Sequence, residues 1–124
     1  MEGKTVHRTC LIVDDEPAIR AYIKAVLRKE QYEALEAENA AQAFELVKRL
    51  DGGLHLIVSD IDMPGDIDGL DLAYAVQNAF PTIPVVLVSD SADTELARNF
   101  AFLRKPFSPT AILGAVNKAA AIAA

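Results

Sequence analysis

The stretch Cys10-Leu11-Ile12-Val13-Asp14-Asp15-Glu16-Pro17 sets four apolar residues directly before three acids and a proline. A continuously apolar run suits a strand covered on both faces, because a strand with one wet face would alternate. Pro17 fits the first turn of a helix, and Ile19, Tyr22, Ile23, Val26 and Leu27 then recur on one face as far as about Lys29. Strand, acidic turn and helix thus follow one another within twenty residues.

The same rhythm continues down the chain. A second helix is predicted after the N-cap Asn39, with Ala43, Leu46, Val47 and Leu50 inward and Asp51-Gly52-Gly53 ending it. Leu54 to Ser59 reads as a third buried strand, Leu70 to Asn78 as a helix closed by Phe80-Pro81, and Val85 to Val88 as a fourth strand. Ser108-Pro109 reads as N-cap and first residue of a last helix carrying Ile112, Leu113 and Val116 on one face. Glu33-Ala34-Leu35-Glu36-Ala37 has helix-forming composition and is assigned to a strand only because the alternation requires one there. A short helix near Thr94 to Asn99 and a strand around Ala101 to Leu103 complete the series. Alternating strands and helices without repeats or linkers predict one α/β domain with a parallel sheet. Residues 1–8 are assigned to a tail and 9–124 to the domain.

All strands of a parallel sheet point one way, so the residues at their carboxyl ends share one rim, where open α/β sheets bind ligands. That rim collects Asp14-Asp15-Glu16, Asp60, Ser89 and Lys105-Pro106. Clustered carboxylates repel one another, and a divalent cation removes the conflict. Hard oxygen donors without histidine or thiolate favour Mg²⁺, or Mn²⁺, over zinc. Mg²⁺ pairs naturally with phosphate oxygens, and an aspartate can be the nucleophile in phosphoryl transfer, with a lysine and a hydroxyl supporting the charge.

Four ordered motifs sharpen this reading: Leu11-Ile12-Val13-Asp14-Asp15-Glu16-Pro17, Ser59-Asp60-Ile61-Asp62-Met63-Pro64 with Asp68-Gly69-Leu70, Val85-Val86-Leu87-Val88-Ser89, and Arg104-Lys105-Pro106-Phe107. From about Thr9 to Ala119 the chain resembles the CheY-like receiver domains of two-component response regulators. The resemblance implies a five-stranded parallel sheet of order 2-1-3-4-5 with helices on both faces. It implies Asp60 as phosphoacceptor, and Mg²⁺ held by Asp14, Asp15, Asp60 and the backbone carbonyl of Asp62. Ser89 and Lys105 would bind the phosphoryl group, Phe102 would be the switch aromatic, and the Lys105-Pro106 bond would be cis. Asp62 and Ser91 occupy positions that tune hydrolysis in the family. The implied donor is a histidine kinase or a histidine phosphotransfer protein, and the implied state a monomer or weak dimer.

The chain also departs from the commonest pattern. The loop Met63 to Gly69 is one residue longer, which resembles receivers of hybrid histidine kinases. Ser89 to Lys105 is short by one to two helical turns, so the fourth helix should be stunted or replaced by loop. Asp90 stands where a small residue is common, and an extra carboxylate there is expected to slow phosphorylation by repulsion or to restrict donors. Asp66 and Asp68 read as loop carboxylates, His7 as a tail residue and His55 as a strand flank.

Composition limits the alternatives. A net charge of −6, from 18 acidic and 12 basic residues, opposes nonspecific nucleic-acid and anionic-membrane binding. No segment reaches the roughly 18 apolar residues of a membrane span. The single cysteine, Cys10, reads as a buried core thiol, and the expected location is cytoplasmic. The main expectation is a stand-alone receiver, the chain stopping after its last helix without a DNA-binding output domain; the alternative is a receiver cut from a larger hybrid kinase. Two rivals stay open: an aspartate-nucleophile phosphatase, from the D-x-D at Asp60-Ile61-Asp62, and a pseudo-receiver that is never phosphorylated.

Overall fold

The structure, a computed structural model, describes residues 8–90 and 95–123. Five parallel strands, β1 (Arg8–Val13), β2 (Tyr32–Ala37), β3 (Leu56–Asp60), β4 (Val85–Ser89) and β5 (Ala101–Arg104), form a sheet of order 2-1-3-4-5. Among the described residues the helices are α1 (Pro17–Arg28), α2 (Ala40–Leu50), α3 (Gly69–Ala79) and α4 (Pro109–Ala123). The expected fold is the observed one.

Alternation along each strand divides the core in two. Cys10, Ile12, Leu56, Val58, Val86 and Val88 pack under α1 and α4. Leu11, Val13, Ile57, Val85 and Leu87 pack under α2 and α3. Covered on both faces, β1 from Cys10 onward and β4 need no polar residue before their carboxyl ends, which is why Cys10 to Val13 and Val85 to Val88 are apolar without a break. Cys10 is fully buried, and burial pushes its thiol up to about 12.

The helix signals act as the sequence implied. Pro17 opens α1, Asn39 Oδ1 accepts from the Gln42 amide at 2.8 Å, and Ser108 Oγ accepts from the Ala111 amide at 3.1 Å. Asp51, in the left-handed region at φ 46°, ends α2 one residue ahead of the glycines. Tyr22, expected inward, is 38% exposed; it lies at the margin of α1, donating its hydroxyl to the Phe107 carbonyl at 3.0 Å.

Several boundaries move. Arg8, assigned to the tail, pairs with Tyr32 as the first residue of β1. Asp60 and Ser89 are the last residues of their strands rather than the first beyond them, since the ladder continues through Asp60 opposite Val88 and Ser89 opposite Arg104. Leu54 is buried but precedes β3. His55, read as a strand flank, accepts the Thr9 amide through Nδ1 at 3.0 Å. Asp68 is no idle loop carboxylate: it caps α3 reciprocally with Asp71 at 2.9 and 3.0 Å. Between β4 and β5 the described residues hold one 3₁₀ turn, Glu95–Ala97, in place of a fourth long helix. His7, Ser91 and the Thr94 start of that segment lie outside the described residues.

Candidate functional site

β1 delivers Asp14 to the rim, where its amide donates to the Ala37 carbonyl at 3.2 Å and the side chain turns inward, 1% exposed. Oδ1 accepts the Glu16 amide at 2.9 Å, a local bond that turns the chain into α1. Asp15 is exposed beside it. β3 delivers Asp60, 3% exposed, whose Oδ1 lies 3.3 Å from the Asp62 amide. Carboxylate oxygens of Asp14, Asp15 and Asp60 all lie within 4.8 Å of one another.

Lys105 follows β5, its amide donating to the Ser89 carbonyl at 2.9 Å. Its Nζ reaches Asp14 Oδ2 at 3.3 Å, Asp60 Oδ2 at 3.5 Å and Glu16 Oε2 at 3.5 Å. One ammonium therefore faces three carboxylates. Burial alone would lower the Lys105 pKa, but Asp60, Asp14 and Glu16 outweigh it and raise it. Burial, then the Asp14 charge, pushes the Asp60 carboxyl from near 3.8 to about 6, against the pull of Lys105. Asp14 is also raised, chiefly by burial. Its Oδ2 is buried with no well-formed hydrogen bond, leaving the ammonium as its neighbour.

A pocket that holds carboxylates above their ordinary pKa, with one buried oxygen lacking a hydrogen bond, is short of positive charge. A divalent cation coordinated by these hard oxygens would supply it. The donor set therefore fits a metal ion of the Mg²⁺ type.

Ser89, buried at the end of β4, donates from Oγ to Asp62 Oδ2 at 2.8 Å. Asp62, expected to offer its backbone carbonyl and to occupy a position that tunes hydrolysis, also engages the Ser89 hydroxyl through its side chain. Phe102 is half-buried against the α2/α3 side of the core, and the Lys105–Pro106 bond is cis. Gly69 also belongs to this rim. Its amide donates to the Ile61 carbonyl at 3.1 Å, and a Cβ there would collide with the main-chain carbonyl of Asp60. Only a glycine lets α3 start so close to the strand end, and the Asp-Gly pair at 68–69 was the signal for it.

The family model for the response regulator receiver domain matches residues 10–117. The chain belongs to that family. The sensor kinase CckA of Brucella abortus is 36% identical over 106 residues, which cover 81% of this receiver but 11% of that kinase. The solved receiver domain of the hybrid histidine kinase CckA superposes with a TM-score of 0.76 at 30% identity, covering 90% of this chain and 98% of that one. A receiver protein from Sinorhizobium medicae WSM419 superposes at 0.84 with 24% identity over 95% and 98% of the two chains, a likeness of fold alone. Against curated relatives this receiver spans 11%, 22% and 44% of their lengths. Receivers are phosphoacceptor signalling modules of two-component systems, and this one is CheY-like with a resemblance to hybrid-kinase receivers. No helix among the described residues is long and apolar enough to cross a membrane.

Proposed function

We propose that this receiver accepts a phosphoryl group on Asp60 from the phosphohistidine of a histidine kinase or histidine phosphotransfer protein, and thereby changes its affinity for a partner protein. The supporting observation is the placement of Lys105 Nζ within 3.5 Å of both Asp14 and Asp60 at the floor of a buried acidic pocket. An Asp60 oxygen attacks phosphorus, the new P–O bond forms as the P–N bond to imidazole breaks, and the imidazole departs with the electron pair of that bond. Mg²⁺, bound by Asp14, Asp15, Asp60 and the Asp62 carbonyl, would offset negative charge on the carboxylates and the phosphoryl oxygens. Lys105 binds a phosphoryl oxygen, and Ser89 leaves Asp62 to donate to another. Phe102, half-buried beside β4, is the aromatic proposed to move with it. This reading places the module in the cytoplasm with its donor, outside nucleic-acid binding.

Incubation with Mg²⁺ and a small phosphodonor, or with beryllofluoride, should shift amide resonances around Asp60, Ser89 and Lys105. Asp60→Asn should abolish acid-labile labelling; label retained in that variant moves the acceptor elsewhere. Stoichiometric labelling without turnover of an aryl phosphate separates a receiver from a D-x-D phosphatase. The match to CckA favours a second reading of context, in which the module works inside a hybrid kinase. The native gene boundaries decide between that and a stand-alone receiver.

A further inference from the structure

Glu36 is a carboxylate near the end of an edge strand, facing α1. Its Oε1 accepts from Arg20 Nε at 2.9 Å and its Oε2 from Lys24 Nζ at 3.3 Å. The same guanidinium donates through Nη1 to the main-chain carbonyl of Asp14 at 2.7 Å. Arg20 is only 13% exposed, so this contact is sheltered by the protein. Together with the Asp14 amide on the Ala37 carbonyl, it holds both main-chain groups of Asp14 to β2 or to a side chain anchored there.

That grip falls at the residue where repulsion is greatest. Asp14, Asp15 and Asp60 would move apart if the β1–α1 turn were free to rotate, because each carboxylate gains by distance from the others. Arg20 touches the main chain and not the Asp14 side chain, so it holds position without neutralising the pocket. A rigid planar fork can bridge a carboxylate and a carbonyl at fixed angles; an ammonium serves one at a time.

We propose that Arg20 is a positioning residue for the divalent-cation site: its guanidinium, oriented by Glu36, fixes the Asp14 main chain so that Asp14 and Asp15 face Asp60. The inference rests on the proposed role of those carboxylates in holding a divalent cation.

The test is Mg²⁺ titration of the full chain, followed by calorimetry and by the amide shifts of Asp15 and Glu16, with unfolding midpoints measured in parallel. Arg20→Ala should weaken Mg²⁺ binding about tenfold, as loss of an outer-shell support does elsewhere. Arg20→Lys, which keeps the charge but not the fork, should be nearly as weak, and Glu36→Gln should lie between these and the wild type. Both conservative variants are expected to fold. A lower unfolding midpoint with unaltered Mg²⁺ affinity in Arg20→Lys and Glu36→Gln would show that Arg20 merely fastens α1 to β2, overturning the inference. So would full affinity in Arg20→Lys beside weak binding in Arg20→Ala, which is a charge effect. Wild-type protein that takes up no Mg²⁺ overturns the phosphoreceiver reading, and this inference with it.

Discussion

The rim pocket and the brace beside it use the same chemical groups to opposite ends. In the brace, Glu36 has two cationic neighbours, and the Arg20 hydrogen bond above all holds its carboxyl below the ordinary 4.5. In the pocket, one ammonium serves three carboxylates, and burial carries Asp60 up to about 6. Cation count and solvent access decide the sign. The brace is electrostatically complete, whereas the pocket keeps a conflict that a bound cation would relieve. A folded protein carries such a conflict at the expense of stability, and functional sites are where it is found.

The contrast can be broken first by crowding the pocket. Gly69→Ala should destabilise by about 3 kcal/mol or more, because the new methyl meets the Asp60 carbonyl at a rim with no room to give. Denaturant unfolding measures this, and a loss below about 1 kcal/mol would mean that the start of α3 shifts easily. Relief by the cation comes next. Mg²⁺ at a hundredfold excess over its Kd should add about 2.7 kcal/mol to wild-type stability, and far less to Asp60→Asn.

Removing one charge should have an effect of similar size and a distinctive pH dependence. A carboxyl raised from near 3.8 to about 6 contributes stability below pH 4 that is lost as pH rises through about 6. Metal-free Asp60→Asn should therefore be more stable than wild type by roughly 2–3 kcal/mol at pH 7.5, with the gain vanishing near pH 4. Equal stability at both pH values would contradict the pocket's electrostatics. Glu36 has the opposite sign: its contribution is present above pH 4.5 and is lost as pH falls. Being about one-third exposed, it should cost only about 0.5 kcal/mol or less in Glu36→Gln, and less still in high salt. Smallest in stability is Asp90→Ala, an exposed site, where the expectation is a faster phosphorylation rate; unchanged rates would remove Asp90 from the account.

The two regions also differ in how far they could be read in advance. Asp14, Asp15, Asp60, Ser89 and Lys105 were legible because each closes or follows an apolar run, and a parallel sheet sends all such ends to one rim. The brace was not. Glu33-Ala34-Leu35-Glu36-Ala37 looks helical, and its charges make sense only once Glu36 faces Arg20 and Lys24 across the β2 edge. The bond between the Asp62 carboxylate and Ser89 Oγ, at 2.8 Å, was likewise not legible, because nothing local in the sequence brings residues 62 and 89 together.

Periodicity, caps and strand-end residues determined the α/β alternation, the sheet's two-sided core and the acids of the pocket, since these depend on neighbours within a few positions. Only the tertiary structure decided which groups share a partner: Lys105 among three carboxylates, Arg20 between Glu36 and the Asp14 carbonyl, and Gly69 against Asp60. Those pairings join residues separated by six to ninety-one positions, and local propensity does not say which of them will meet. Their energies depend on burial and on distances of a few ångströms, which exist only once the chain has closed.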